Sequence, residues 1–237
     1  MNSLTGIISS FSVYSSLQMV SALGSKILFI GFLISTLACF VTMASGNYLL
    51  EDFCVADVNS KVGGGVCKDP NLVTENDFFV SGFDIPANTA NAVGSVVTGY
   101  NVSIIPGLNT LGVSLARIDF APFGLNAPHT HPRGTEIFTV IEGTLRAGFI
   151  TANPRNRHFT KILNKGDVFV FPRGLVHYQQ NLGNSNALAI AATNSDNPGA
   201  VTLANVVFGA KPDISVDTIA KAFQLDKNIV TELQARF

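Results

Sequence analysis

The sequence predicts an all-β barrel or sandwich that ends in a short helical tail. Three observations carry that expectation. From Phe78 onward, short apolar segments alternate with Gly, Pro and Asn, the pattern of many short strands joined by turns. Charged residues make up only 13% of the 237 residues, while β-branched residues and Phe are plentiful. From Asp217 to Phe237, Ile219, Ala222, Phe223, Ile229, Val230 and Leu233 recur at roughly helical spacing, and Asp226-Lys227-Asn228 divides that stretch into two short helices. The length suits one sizeable domain with an ample core. The net charge is -1 and Lys and Arg form no block, which argues against a nucleic-acid partner.

The N-terminus stands apart. Ile27–Val41 is an apolar run uninterrupted by charge, with Lys26 before it and the small residues Thr42, Ala44 and Ser45 after it. That is the layout of a secretory signal cleaved after Ala44. The run is shorter than the about 20 residues of a membrane span. An uncleaved signal anchor is the rival reading. The signal begins late, and Met19 offers an alternative start that leaves a signal of ordinary length. Residues 1–44 are therefore set aside as a signal region, and the mature chain is expected to be secreted and free of membrane. Residues 45–77 then form an N-terminal extension, 78–230 the main domain with most of the helical tail, and 231–237 the C-terminal end.

Cysteine usage agrees with export. Cys39 lies inside the signal, which leaves Cys54 and Cys67 in the mature chain. An even count in an exported protein points to one disulfide. Gly63-Gly64-Gly65 lets the intervening loop fold back. Two free thiols are the alternative. Asn101-Val102-Ser103 is a glycosylation sequon, used only if it is exposed.

The expected strands follow in order: Ser95–Ile105, Gly112–Phe120, Glu136–Ile141, Thr144–Ile150, Asp167–Phe171, His177–Asn181 and Ala187–Asn194. Between the second and third lies Pro128-His129-Thr130-His131-Pro132. Pro on both sides favours extended backbone. On such a segment residues i and i+2 point the same way, so His129 and His131 address one point in space. Glu136 follows five residues after His131, the wrong parity for one straight strand, and Arg133-Gly134 permits a bend that restores alignment. His177 starts a strand after the turn at Pro172 and Gly174 and completes the set. His158 falls in the polar stretch Asn153–His158, expected to be a loop and not a ligand site. Lys165-Gly166-Asp167 reads as a turn, not an adhesion motif.

Three imidazoles and one carboxylate suit Zn, Fe, Ni, Cu or Mn and do not identify the ion. Four protein ligands on a six-coordinate metal leave two positions open, the arrangement of Lewis-acid or redox chemistry.

These residues resemble a known family. Gly166, Pro172, Gly174, His177 and Asn181 fit the second cupin motif, Gly-x5-Pro-x-Gly-x2-His-x3-Asn, without a gap. His129, His131, Glu136 and Gly143 fit the first, which departs only at its leading Gly. That position is Phe123, with Gly124 displaced by one. The departure is expected to alter the preceding turn more than the ligands. Together with DFCVAD (52–57), PHTHPRGTEIF and GDVFVFPRGLVHYQQN, the motifs resemble those of plant germins and germin-like proteins over residues 51–237.

The resemblance implies a cupin jelly-roll barrel with short C-terminal α-helices, and Mn(2+) on the His-His-Glu-His set. It also implies a Cys54–Cys67 bridge, an apoplastic glycoprotein, and a homohexamer built as a trimer of dimers with C-terminal helices in the contacts. Family activities include oxalate oxidase and superoxide dismutase, both yielding hydrogen peroxide, an output that suits plant defence. Oxalate-oxidising germins use two asparagines near the metal. One is retained as Asn126, while the other is Ala116 here. Alanine offers no hydrogen bond to a dicarboxylate. The resemblance with this departure implies a dismutase acting on superoxide, not an oxalate oxidase. The alternative is a non-enzymatic wall or storage-like protein with a structural metal.

Overall fold

The computed structural model describes residues 52–60 and 65–237. The expected signal region, with Met19 and Cys39, lies outside the described residues, as do Gly63 and Gly64 of the loop between the cysteines. No helix among the described residues is long and apolar enough to cross a membrane.

Among the described residues, ten strands form two five-stranded antiparallel sheets. The first has the order β1 (Ser95–Tyr100), β2 (Ser114–Phe120), β9 (Ala187–Thr193), β4 (Glu136–Glu142), β7 (Val168–Phe171). The second has the order β10 (Val201–Thr202), β3 (Leu125–Thr130), β8 (Val176–Asn181), β5 (Thr144–Ile150), β6 (His158–Asn164). This is the expected cupin fold. Alternation along β4, β8 and β9 sends one set of side chains into the space between the sheets. Along β4, Glu136, Phe138 and Val140 are buried while Ile137 is exposed. Phe120, Phe138, Leu145 and Phe171 meet there with the buried alanines of β5 and β9. Each large side chain so buried contributes about 1.5–3 kcal/mol.

The first expected strand ends early, at Tyr100 rather than Ile105. Asn101 diverts the chain. Its side-chain oxygen accepts from Ser103 N–H at 2.9 Å, and its carbonyl accepts from Ile104 and Ile105 at 2.9 Å each. A short polar side chain thus replaces the ladder with a turn. In the other direction, His158 opens β6 and is not in a loop. That edge strand buries only Leu163, so its sequence carries no inward alternation to signal it. Lys165-Gly166-Asp167 makes the β6–β7 turn, where Asp167 accepts from Asn164 N–H at 2.8 Å.

The tail forms α1 (Leu203–Phe208), which the spacing did not indicate, then α2 (Val216–Phe223) and α3 (Lys227–Gln234). Asp226 caps α3 by accepting from Asn228 N–H, at the division the sequence indicated. Ile219, Ala220 and Val230 make a small core of their own with Val207 and Phe208.

Cys54 and Cys67 are bridged. The buried Cys54 and Val55 anchor the extension, and Ala56 N–H donates to Pro106 O at 2.9 Å. Closing a loop of this size contributes about 3 kcal/mol in the chain-entropy account.

At the motif departure, Phe123 is a non-glycine residue in the left-handed region, and the four ligands still come together. Phe123 sits at φ 59° and is 64% exposed. Gly124 is required for a different reason, since a Cβ there would lie 2.1 Å from Gly94 O. A left-handed Phe costs about 1–2 kcal/mol, partly offset by the extra freedom a glycine loses on folding. Phe123→Gly is therefore expected to stabilise the fold by roughly 0.5–1 kcal/mol. A thermal melt that is unchanged or lowered contradicts this reading.

Candidate metal centre

The four expected ligands converge between the sheets. Their ligand atoms all lie within 4.8 Å of one another. His129 lies in β3 and His177 in β8, directly opposite each other in the register, with ring centroids 4.2 Å apart. His131 follows the end of β3, on the same side as His129, as the i, i+2 spacing requires.

Glu136 comes from the opposite sheet. The turn at Pro132-Arg133 and Gly134 does not restore alignment within one strand. It carries the chain across from β3 to β4, so both ends of the turn face the common interior. Gly134 permits this close passage, since a Cβ there would lie 3.2 Å from Pro198 and 3.3 Å from Thr193 side-chain carbons.

Each imidazole is aimed by its other nitrogen. Nδ1 of His129 donates to Ala127 O at 2.8 Å, and Nδ1 of His177 donates to Leu175 O at 2.8 Å. Nδ1 of His131 donates to Gly199 O. With Nδ1 carrying the proton, Nε2 is the free ligand atom in all three. Phe171 stacks on His177 at 4.5 Å and 19°, which locks the ring plane.

The electrostatics fit a cation. Burial, then the neighbouring His177, lowers the His129 pKa to about 4, so that ring is neutral at physiological pH. Burial pushes Glu136 up, but the His131 and His177 imidazoles, 2.9 and 3.8 Å from its Oε2, hold it at about 2, an ionised carboxylate. His131 loses by burial but gains more from Glu136, 2.9 Å away, and from the Gly199 carbonyl, so its pKa is raised. It is the ligand where protons compete best with a metal. His177 Nε2 and Glu136 Oε1 are buried without a hydrogen-bond partner. A buried polar atom left unpaired is costly. A cation held by the three Nε2 atoms and the carboxylate satisfies both, so the residues fit a metal.

An open cavity of about 330 Å3 leads to this cluster and is lined by His129, His131 and Glu136. Asn126 also lines it and donates through Nδ2 to Gln179 Oε1 at 2.7 Å. Asn126 and His129 are three apart, the wrong parity for one face. A register shift between them corrects it, next to Pro128, which cannot donate to the ladder. Ala116 lines the same cavity, and Asn101 borders it. His158 lies elsewhere, bonded through Nε2 to Tyr178 OH at 3.0 Å.

No local residue pattern marks Gly199 or Phe171 as a support of the site. Gly199 is 68 residues from His131. Gln179 was legible only as the residue two after His177, on the same strand face.

Comparison with known proteins agrees with this geometry. The cupin family profile matches residues 81–231. Germin-like protein 8-2 of Oryza sativa subsp. japonica is 58% identical over 205 residues, 85% of this chain and 93% of that protein. Germin-like protein subfamily 1 member 7 of Arabidopsis thaliana is 58% identical over 192 residues, 79% of this chain and 84% of that protein. Among solved structures, an oxalate oxidase aligns with TM-score 0.76 and 40% identity, covering 80% of this chain and 96% of its own. The same alignment quality, at 39% identity, holds for recombinant oxalate oxidase in complex with glycolate. With the fold, the four-ligand cluster and these relatives in agreement, the chain belongs to the germin-like proteins of the cupin family.

Proposed function

We propose that this is a secreted, apoplastic Mn(2+) protein that dismutates superoxide and so supplies hydrogen peroxide, an output suited to plant defence. The observation that carries it is the convergence of three Nε2 atoms and one ionised carboxylate at the base of an open cavity. Manganese enters through the germin resemblance, since the donor set alone admits several ions. The metal, when bound, supplies two adjacent oxidation states. Two superoxide ions and two protons then give one hydrogen peroxide and one dioxygen. His129, His131, His177 and Glu136 hold the ion, and Asn126 offers an amide to a small anion beside it.

Oxalate fits this site poorly. Ala116 presents a methyl group where oxalate-oxidising germins have an asparagine, and one lost hydrogen bond to a buried anion weakens binding by about 1–3 kcal/mol. A non-enzymatic role with a structural metal has one observation in its favour. The ligands come from both sheets, so the ion would cross-link them.

The Cys54–Cys67 bridge supports an oxidising compartment. Ala222, Phe223 and Ile229 are exposed on α2 and α3, which supports a helical contact in the expected hexamer. Asn101 is half-buried in the cavity lining, so a glycan on it would border that space.

Three outcomes are expected. Wild-type protein loaded with Mn and desalted retains about one ion per chain, while His129→Ala loses affinity by more than the roughly 10–100-fold that a lost supporting partner costs. Metal analysis decides this. The loaded protein dismutates superoxide, His129→Ala does not, and oxalate yields no peroxide. Equal dismutase rates in both proteins overturn the enzymatic reading. If chelation lowers the melting temperature while no activity is ever present, the structural-metal reading takes its place. Intact-mass analysis of the secreted protein is expected to show a start near Ser45 and a glycosidase-sensitive mass at Asn101. An unmodified Asn101 removes the glycan from the account.

A further inference from the structure

The cavity above the metal ligands is larger and more apolar than superoxide or oxalate needs. Its volume of about 330 Å3 falls within the range of pockets that hold organic ligands, roughly 300–1,000 Å3. Its wall can be read from the sheet register. Glu136 is level with Thr193 and Ser114 across β4, β9 and β2, and the two hydroxyls hydrogen-bond to each other at 2.8 Å. The next row on the same face runs Gly99, Ala116, Ala191 and Phe138. Three of these four residues are as small as residues come. A Cβ on Gly99 would meet nothing within 4 Å.

The row beyond contains Val97 and Ile118. Val97 is on the same side as the buried Ile118, yet it is 49% exposed and lines the cavity. The small residues alone would not define a site. They adjoin Glu136, which is 4% exposed, lines the cavity, and has Oε1 without a partner.

Charge narrows the ligand class. No lysine or arginine is among the residues lining the cavity. Arg133 packs on Gly199, but its guanidinium is engaged by Asn197, through the backbone carbonyl at 2.7 Å and the side-chain oxygen at 3.1 Å. A second carboxylate on a ligand would therefore face alanine methyls and no cation. A single anionic head on the metal, with an apolar body along the small-residue wall, matches both halves of the cavity.

We propose that the cavity binds a monocarboxylate bearing a hydroxyl or carbonyl oxygen on the adjacent carbon, with an apolar body about the size of one ring. The carboxylate and its neighbouring oxygen would be offered to the ion that His129, His131, His177 and Glu136 would hold, and the body lies against Gly99, Ala116 and Ala191. This rests on the reading that the four residues hold a metal. It does not require that superoxide be the substrate.

The test compares two probes with the same head. Glycolate carries no body, and mandelate is glycolate with a phenyl group. Binding to the Mn(II)-loaded protein is read from water-proton relaxation, which falls as the ligand displaces metal-bound water. Mandelate is expected to bind at least tenfold more tightly than glycolate. Gly99→Val adds carbon to the wall and is expected to remove most of that preference while leaving glycolate affinity within about twofold, whereas Ala116→Leu, beside the anion head, is expected to weaken both probes and mandelate more. The Cβ added by Gly99→Val meets nothing within 4 Å, so this variant serves where Ala116→Leu folds poorly. Equal affinities for the two probes, or a preference that survives in Gly99→Val, overturn the inference. A preparation that binds no Mn overturns it together with the metal reading. One that lacks dismutase activity but prefers mandelate supports it and removes only the superoxide assignment.

Discussion

Burying a carboxylate and three imidazoles between two apolar sheets is the constraint on which the rest of the structure turns. Isolated, such groups cost several kcal/mol each to desolvate. Here the cost is met by arrangement. Every Nδ1 is given a backbone carbonyl, every Nε2 points inward, and the carboxylate is placed among them. What remains unsatisfied, His177 Nε2 and Glu136 Oε1, defines the place of a cation. The site is thus a set of liabilities that one ion resolves, and the sheets supply the rigidity that keeps the four groups from relaxing away from it.

That arrangement explains details that look incidental along the chain. The register shift before His129 brings Asn126 and His129 to one face. The tight passage at Gly134 brings a carboxylate from the other sheet. Phe171, at the end of β7, both closes the core and fixes the His177 ring. The apolar core and the polar site share these residues, so they cannot be altered independently.

The ligands and most of the fold were legible in the sequence. His129 and His131 carry their shared direction in their i, i+2 spacing. The strand beginning near His177 is marked by Pro172 and Gly174, and the helical break by Asp226. What the sequence hid was long-range or unpatterned. The parity of Glu136 makes sense only once β3 and β4 are known to lie in different sheets. β6 is an exposed edge with no apolar alternation, and the early end of β1 depends on the hydrogen bonds of one asparagine. The Gly199 carbonyl has no local signature, because a backbone acceptor carries no residue identity.

The loop at Asn197, Pro198 and Gly199 holds the Nδ1 proton of His131 and also forms part of the cavity wall. A ligand that settled against this loop and shifted Gly199 would change how well His131 holds an ion, and the ion would change the ligand's affinity by the same factor. Metal retention would then depend on what occupies the cavity as well as on the four residues of the cluster.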